Sequence, residues 1–325
     1  MCEPGAVPET RPGATPHRRP PLAAVVVDHH SGELLTRCVA SLQAEGFHPV
    51  VVVDNADPPA PGRPRLRPSL APAPPRPERR LPDVVWIDPA RNLGYGAGAN
   101  RGVAAVTGTG PVLVANPDVA LHSGAAAALA AALDADPSAA VVGPRIVQAD
   151  GTRYPSARRF PSLVDAAGHA LLSSWWPDNR FSRRYRMDDL SVDQSTPVDW
   201  VSGACMLVRR SAWEELGGFD ESYFMYAEDM DLCWRARQAG WQVLYVPQAV
   251  VTHLQGRSTR RRPYRMLLAH HRSALRFAVR TERGWRRPLL PVVAAALALR
   301  LLVECLRLAA EAGGPARSDA DPAGG

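Results

Sequence analysis

The 325-residue chain contains no lysine: all 38 of its basic residues are arginine. Alongside 32 prolines, 25 glycines and a heavy alanine load, that absence reflects a GC-rich coding bias and says little about function. There is no C-x-x-C pair. The five cysteines, Cys2, Cys38, Cys205, Cys233 and Cys305, are odd in number and scattered, which argues against a disulfide framework or structural zinc and fits a reducing cytosol. No apolar segment follows the first charges, so no signal peptide is expected. No uninterrupted apolar run reaches the ~18 residues of a clean transmembrane helix, and no internal repeat occurs. What is present, 46% hydrophobic residues and a formal charge of +6, excludes wholesale disorder and suits one large domain or two small ones.

Residues 1–20 are rich in Pro, Arg and Gly without apolar periodicity and are expected to form a disordered tail, as are residues 313–325. Four short β-branched runs follow: Leu22–Val27, Val50–Val53, Val84–Ile87 and Val112–Val114. Helical patterns separate them, which predicts an α/β fold with a mainly parallel central sheet and ligands at the carboxyl ends of its strands. Ten prolines from Pro58 to Pro82 make the 57–82 segment an inserted extended loop. Ala125–Leu133 and Asp231–Ala239 read as helices, and Val198–Val208 and Trp241–Val251 as strand text, while 152–197 is irregular. Residues 21–256 thus read as one domain and 257–312 as a helical appendage. Eleven arginines and one acid lie between Arg257 and Arg287. Arg265, Arg272, Arg276, Arg280 and Arg283 share one helical face there, and a broken apolar helix, Pro288–Leu308, follows. That pairing suggests an interfacial anchor on anionic lipid. The alternative is a helical pair packed on the core with a solvated arginine face.

Four clusters sit where such a sheet presents its ligands. Asp54–Asn55 follows the second run and suits a nucleoside, or is a turn-forming Asx pair. Asn92-Leu93-Gly94-Tyr95-Gly96-Ala97-Gly98-Ala99-Asn100 offers glycines for close backbone approach and a helix N-terminus for phosphate. It also matches a dinucleotide fingerprint, but after the third strand instead of the first. Asn116–Pro117–Asp118 places a carboxylate where a divalent cation bridges diphosphate oxygens. Glu228-Asp229-Met230-Asp231 crowds three acids at a helix start, more than capping requires, and crowding favours a general base near neutral pH. His253, after the last strand, is a candidate metal ligand only in that company.

In this order the motifs V-V-V-D-N, N-L-G-Y-G-A-G-A-N, N-P-D, G-G-F-D-E and E-D-M-D-L, with the final His253, resemble the inverting family 2 glycosyltransferases of GT-A fold. The resemblance spans Leu22 to Ser258. Tyr154-Pro155-Ser156-Ala157-Arg158, Pro161-Ser162-Leu163, Trp176-Pro177, Val198-Asp199-Trp200-Val201-Ser202-Gly203 and Ala269-His270-His271 are similar to a subgroup, the actinobacterial rhamnosyltransferases of cell-wall linker synthesis. That resemblance implies transfer of L-rhamnose from dTDP-rhamnose to N-acetylglucosaminyl-diphospho-decaprenol, in arabinogalactan linker synthesis on the inner face of the plasma membrane. It implies donor contacts from Asp54, Asn92, Gly94, Tyr95, Gly96, Asn100 and Asn116, and Mg²⁺ or Mn²⁺ held by Asp118 and His253. Asp229 would be the base, with Arg158, Trp200, Ser202, Gly203 and Glu228 on the acceptor side. The chain departs from the family at Ala56-Asp57-Pro58, where a compact Ser/Asp turn is usual, and at Asn116, where many relatives have an acid.

Other readings are a family 2 transferase with another donor or a polysaccharide acceptor, a dinucleotide-dependent oxidoreductase, and a non-catalytic membrane scaffold. The oxidoreductase leaves Glu228–Asp231 and His253 idle. Nucleic acid is not an expected partner, because the basic residues adjoin apolar text and lack interleaved stacking aromatics. A homo-oligomer is left open.

Overall fold

The computed structural model describes residues 21–57, 81–161, 176, 179–187, 190, 193–254 and 263–313. The expected tails, most of the 57–82 loop and part of the 152–197 segment lie outside the described residues. The first half runs β1 (Ala23–Asp28), α1 (Glu33–Ala44), β2 (Val50–Asp54), β3 (Val84–Ile87), α2 (Tyr95–Ala104), β4 (Val112–Ala115), β5 (Val119–Leu121), α3 (Ala125–Ala135) and β6 (Ala139–Gln148). Then come β7 (Ala157–Arg158), α4 (Arg180–Arg186), β8 (Thr196–Pro197), β9 (Trp200–Val201), β10 (Cys205–Val208), α5 (Arg210–Leu216), α6 (Glu228–Gln238) and β11 (Gln242–His253). Helix α7 (Pro263–Thr281), a 3-10 turn (Gly284–Leu289) and α8 (Leu290–Gly313) close the described chain.

The main sheet has the order β3-β2-β1-β4-β10-β6-β11-β5, with β8 alongside β11. Strands β3, β2, β1 and β4 are mutually parallel, β10 is inserted antiparallel between β4 and β6, and β11 runs parallel to β6. Both faces are covered, which is why the central strands read as continuous apolar runs. Val25, Val27, Val51 and Val53 pack with Val103 of α2, Trp213 of α5 and Leu232 of α6. Their neighbours Ala24, Val26, Val50 and Val52 turn to Leu35, Val39 and Leu42 of α1 and Leu129 of α3. Truncating any one of these buried leucines to alanine costs about 2–5 kcal/mol. The period of two sorts each β-branched run between the two cores.

This topology gathers the polar residues at one edge. Asp28 and Asp54 end adjacent parallel strands and are paired in register. Because β10 is antiparallel to β4, its approach residues Ser202–Ala204 meet the carboxyl end of β4, and the Asn116 N–H donates to the Ala204 carbonyl at 2.9 Å. The last residue of β11, His253, is paired with Val119 of β5, next to Asp118.

Several boundaries differ from the sequence reading. The Val198–Val208 text is two short strands broken by a turn at 202–204, and Trp241–Val251 is one strand with a register shift between Val246 and Val250. Helix α6 begins at Glu228 instead of Asp231, so all three carboxylates lie in its first turn. The arginine stripe is also not a free face. Arg276 lies over the Tyr223 ring at 5.8 Å, Arg283 over Trp234 at 5.7 Å, and Arg280 pairs with Asp220 and Asp231. Helix α7 buries His271 and Phe277 against the catalytic domain, while all five arginines of the stripe remain exposed. The segment Gly284–Ala310 is long and apolar enough to cross a membrane by length and composition, despite Arg300 and Glu304 within it. Those two charges pair with each other at 2.7 Å.

Candidate active site

The donor-side loop is built by side chains that hold backbone. Buried Asn55 donates from Nδ2 to Asn92 Oδ1 at 3.1 Å and to the Gly94 carbonyl at 2.9 Å, while its Oδ1 accepts from Leu93 N–H at 2.8 Å. Asp57 accepts from Asn92 N–H at 3.0 Å, so the residue in the atypical Ala56-Asp57-Pro58 segment braces the same loop. Asn92 in turn accepts from Gly94 N–H at 2.9 Å. Asp54 accepts from Ala56 N–H at 3.3 Å at the strand end, beside Asp28, whose carboxyl burial pushes upward. Asp28 and Asp57 are not among the expected site residues, and Asn55, expected beside the nucleoside, braces the loop instead. The strand-end rule that singled out Asp54 applies equally to Asp28, one residue beyond the predicted first strand.

The glycines of the 92–102 segment are required by close packing within the protein. Gly94 has φ +87°, and a Cβ there would fall 2.2 Å from the Phe224 carbonyl oxygen. A Cβ on Gly96 would lie 3.0 Å from Phe219 Cβ, and one on Gly102 only 2.3 Å from Val25 Cγ1. Asn100 is likewise committed within the protein: it donates to the Phe219 carbonyl at 2.9 Å and accepts from Phe219 N–H at 2.9 Å. These contacts fasten α2 to the 219–224 segment that leads into α6.

That segment enters α6 through Tyr226 and Ala227, with φ +68° and +65°. Two consecutive L-residues in the left-handed region cost about 1–2 kcal/mol each, so tertiary contacts must hold the turn. It presents Glu228 and Asp229. Asp229 accepts from Gly203 N–H at 2.8 Å and from Met230 N–H at 2.8 Å. Gly203 fits because a Cβ there would meet Asp229 Cβ at 3.1 Å. Ser202 is buried and its hydroxyl accepts from Ala204 N–H at 3.3 Å, shaping the same turn. Glu228 is buried, and its Oε2 has no hydrogen-bond partner. Burial, then the Asp229 charge, pushes the Glu228 carboxyl up to about 8. Burial also raises Asp229, against the two backbone donors and Arg158. The pair titrates as a unit and shares a proton near neutrality. Asp231 is structural instead. It is fully buried and pairs with Arg235 at 2.7 Å and Arg280 at 3.1 Å. Removing one partner from such a buried group costs about 3–5 kcal/mol.

Arg158 of β7 lies opposite Trp200 of β9 in register. Its guanidinium stacks within 4.9 Å of Trp200, 5.6 Å of Tyr154 and 5.7 Å of Tyr185, and donates to Tyr154 Oη at 3.2 Å. Tyr154, not among the expected site residues, then makes an edge contact with His253 at 5.8 Å. His253 Nε2 lies 3.0 Å from Asp118 Oδ1 and 3.5 Å from Asn116 Nδ2. On the other side the Tyr95 hydroxyl donates to the Gly203 carbonyl at 2.5 Å. Burial and the Glu228, Asp229 and Asp118 charges together raise the Tyr95 phenol well above its ordinary value. Residues scattered over more than 150 positions are therefore gathered at one edge of the sheet.

Asp118 and His253 fit a divalent cation completed by its substrate. Among the described residues no cluster of three or more His, Cys, Asp or Glu forms a metal cage. Oδ1 and Nε2, in hydrogen-bond contact at 3.0 Å, are nonetheless close enough that both would reach one divalent cation. Such ions usually take one or two protein ligands plus phosphate oxygens and water.

A mixed sheet with this edge is the GT-A arrangement. The mannosyltransferase PcManGT of Pyrobaculum calidifontis, solved with GDP-Man and Mn²⁺, aligns over 92% of this chain and 77% of its own at TM-score 0.51 and 18% identity. The family described as glycosyltransferase like family 2 matches residues 20–269, and the chain belongs to it: it is a glycosyltransferase. Among relatives, the Mycobacterium tuberculosis N-acetylglucosaminyl-diphospho-decaprenol L-rhamnosyltransferase is 40% identical over 292 residues, covering 86% of this chain and 91% of that protein. The Escherichia coli rhamnosyltransferase WbbL is 34% identical over 125 residues, 38% of this chain and 44% of its own.

The Glu228 environment has a measurable consequence. The folded state keeps a proton that the unfolded chain releases above about 4.5, so stability falls as pH rises from there to about 8. Glu228→Gln should therefore raise the thermal midpoint at pH 8 by a few degrees and change it little at pH 4. A lower midpoint at pH 8 would mean that Glu228 is stabilised as a carboxylate.

Proposed function

We propose that the enzyme transfers L-rhamnose from dTDP-rhamnose to a hydroxyl of N-acetylglucosaminyl-diphospho-decaprenol, with inversion and with Asp229 as the base. The observation that carries the chemistry is the gathering at one sheet edge of the Asp118–His253 pair, the Tyr154–Arg158 contact beside it and the Asp229 turn, held by Gly203 N–H. The substrate assignment is supported by the 40% identity to the mycobacterial rhamnosyltransferase over most of both chains.

In this reading Asp54 and Asn116 flank the nucleotide, and the Asn92–Asn100 loop, kept in shape by Asn55 and Asp57, lines the donor. Asp118 and His253 would hold Mg²⁺ or Mn²⁺, which when bound neutralises charge on the departing nucleoside diphosphate. Asp229, aimed by Gly203 N–H, takes the proton of the acceptor hydroxyl as that oxygen attacks the anomeric carbon. Burial raises its basicity, and the two backbone donors and Arg158 oppose that rise. Glu228, retaining its proton, leaves the neighbouring carboxylate free to ionise first. Trp200 and Tyr185 hold the Arg158 plane and wall the acceptor side. No covalent enzyme nucleophile is needed.

The lipid-linked acceptor also gives a role to the C-terminus. Trp285, Leu289, Val292, Leu299, Leu302 and Leu306 are all exposed, and from Val292 on they recur at about heptad spacing along one face. Exposed Arg286 and Arg287 lie at the start of that face. An apolar stripe with a basic end suits peripheral docking on an anionic inner leaflet.

Purified protein with Mg²⁺ should transfer rhamnose from dTDP-rhamnose to the GlcNAc-diphospho-prenol, and EDTA should stop it. Asp229→Asn should lower turnover by at least ~10³-fold while still binding dTDP-sugar. Turnover from a UDP-sugar instead would discard the donor assignment, and near-normal turnover by folded Asp229→Asn would discard the base. The protein should also co-sediment with phosphatidylglycerol vesicles, and Leu299→Glu with Leu302→Glu should abolish this; unchanged sedimentation would remove α8 as the docking face.

A further inference from the structure

Helix α7 is fastened to the carboxylate-bearing turn at four successive levels. His270 meets the Tyr226 ring edge-on at 5.3 Å, and Ser273 Oγ donates to the Met225 carbonyl at 2.8 Å. One turn further on, Arg276 covers the Tyr223 ring at 5.8 Å. At the next, Arg280 bridges Asp220 Oδ2 at 2.5 Å and the buried Asp231 Oδ1 at 3.1 Å. Residues 270, 273, 276 and 280 thus form one stripe of α7, and their partners run along 220–231.

The partners enclose the strained part of the chain. Tyr226 and Ala227, both left-handed, lie between the Met225 carbonyl held by Ser273 and the Asp231 carboxylate held by Arg280. Ala227 has no side-chain cap and immediately precedes Glu228 and Asp229. Asp231 lies two residues beyond Asp229 in the same helical turn, so its ion pair with Arg280 bears on the turn that carries Asp229. Nothing in the 226–229 sequence itself favours this conformation. It persists because surrounding groups over-determine it.

We propose that α7 is a clamp on the catalytic turn, and that Arg280 and Ser273 are positioning residues that set the place of the Asp229 carboxylate without touching substrate. The proposal rests on the reading of Asp229 as base. It differs from a lipid-anchoring role for the arginine stripe: Arg276 and Arg280 face the protein, and their loss should damage turnover even where no membrane is present.

The test uses the full chain in detergent, without vesicles, measuring kcat, KM for the nucleotide-sugar and the thermal midpoint together. Arg280→Ala should lower kcat roughly 10–100-fold while KM for the donor stays within about twofold. Arg280→Lys, which keeps the charge and loses the two-way fork, should recover most of that loss. Ser273→Ala, a milder change that does not endanger folding, should lower kcat about fivefold with the same KM pattern. If folded Ser273→Ala and Arg280→Ala have wild-type kcat, or if kcat and KM deteriorate together in proportion to the lowered midpoint, there is no clamp. Asp229→Asn measured in parallel separates the two ideas. A dead Asp229→Asn beside undiminished Ser273→Ala and Arg280→Ala rejects the clamp alone, whereas an active Asp229→Asn rejects the base.

Discussion

The carbonyl of Phe224 is the point at which the two halves of the cleft are joined. It accepts from Tyr95 N–H at 3.0 Å, and it passes so close to Gly94 that a Cβ there would sit 2.2 Å away. No side chain larger than hydrogen is compatible with that contact. Its consequences spread both ways. Tyr95 reaches Gly203 with its hydroxyl, and Gly203 reaches Asp229 with its amide. On the other side Gly94 is hung from Asn55 and Asn92. Loosen the contact and the donor loop, the 202–204 turn and the carboxylate pair lose their common reference.

The carboxylates at this cleft fall into environments that assign them different work. Asp28, Asp54 and Asp118 lie at strand ends, the last beside His253, at the edge where a parallel sheet presents its ligands. Glu228 and Asp229 are withdrawn from water at a helix start, and burial makes both more basic. Asp231, one side chain further along, is neutralised by Arg235 and Arg280 and takes no part in proton transfer. Three acids within four positions thus divide into a carboxyl that holds its proton, the base proposed for the acceptor hydroxyl and a structural anchor, separated only by which way each side of the helix turn faces.

Much of the fold was legible in sequence because its signals are local. Uninterrupted β-branched runs in β1, β2 and β4 mark strands covered on both faces, and polar residues after them mark the ligand edge. The pairs that depend on topology were less accessible. That Arg158 stacks on Trp200, or that Tyr154 touches His253, follows from strands far apart in sequence being paired. The glycines of α2 looked suited to a ligand because sequence reveals a small residue but not what fills the space beside it. Here Val25, Phe219 and the Phe224 carbonyl do so. The arginine stripe of α7 misled for a similar reason. Helical spacing identified one face, but its partners Asp220 and Asp231 belong to another element, so an exposed face also makes ion-pair and ring contacts that spacing alone does not reveal.

The central claim is a single displacement assisted by Asp229, with no covalent enzyme intermediate. The most direct measurement is the anomeric configuration of the transferred sugar, read by NMR from the one-bond C1–H1 coupling of the isolated product and compared with that of the donor. The account predicts the opposite configuration at the anomeric carbon. Retention would require two displacements or a different attacking geometry, and would contradict the role given to Asp229.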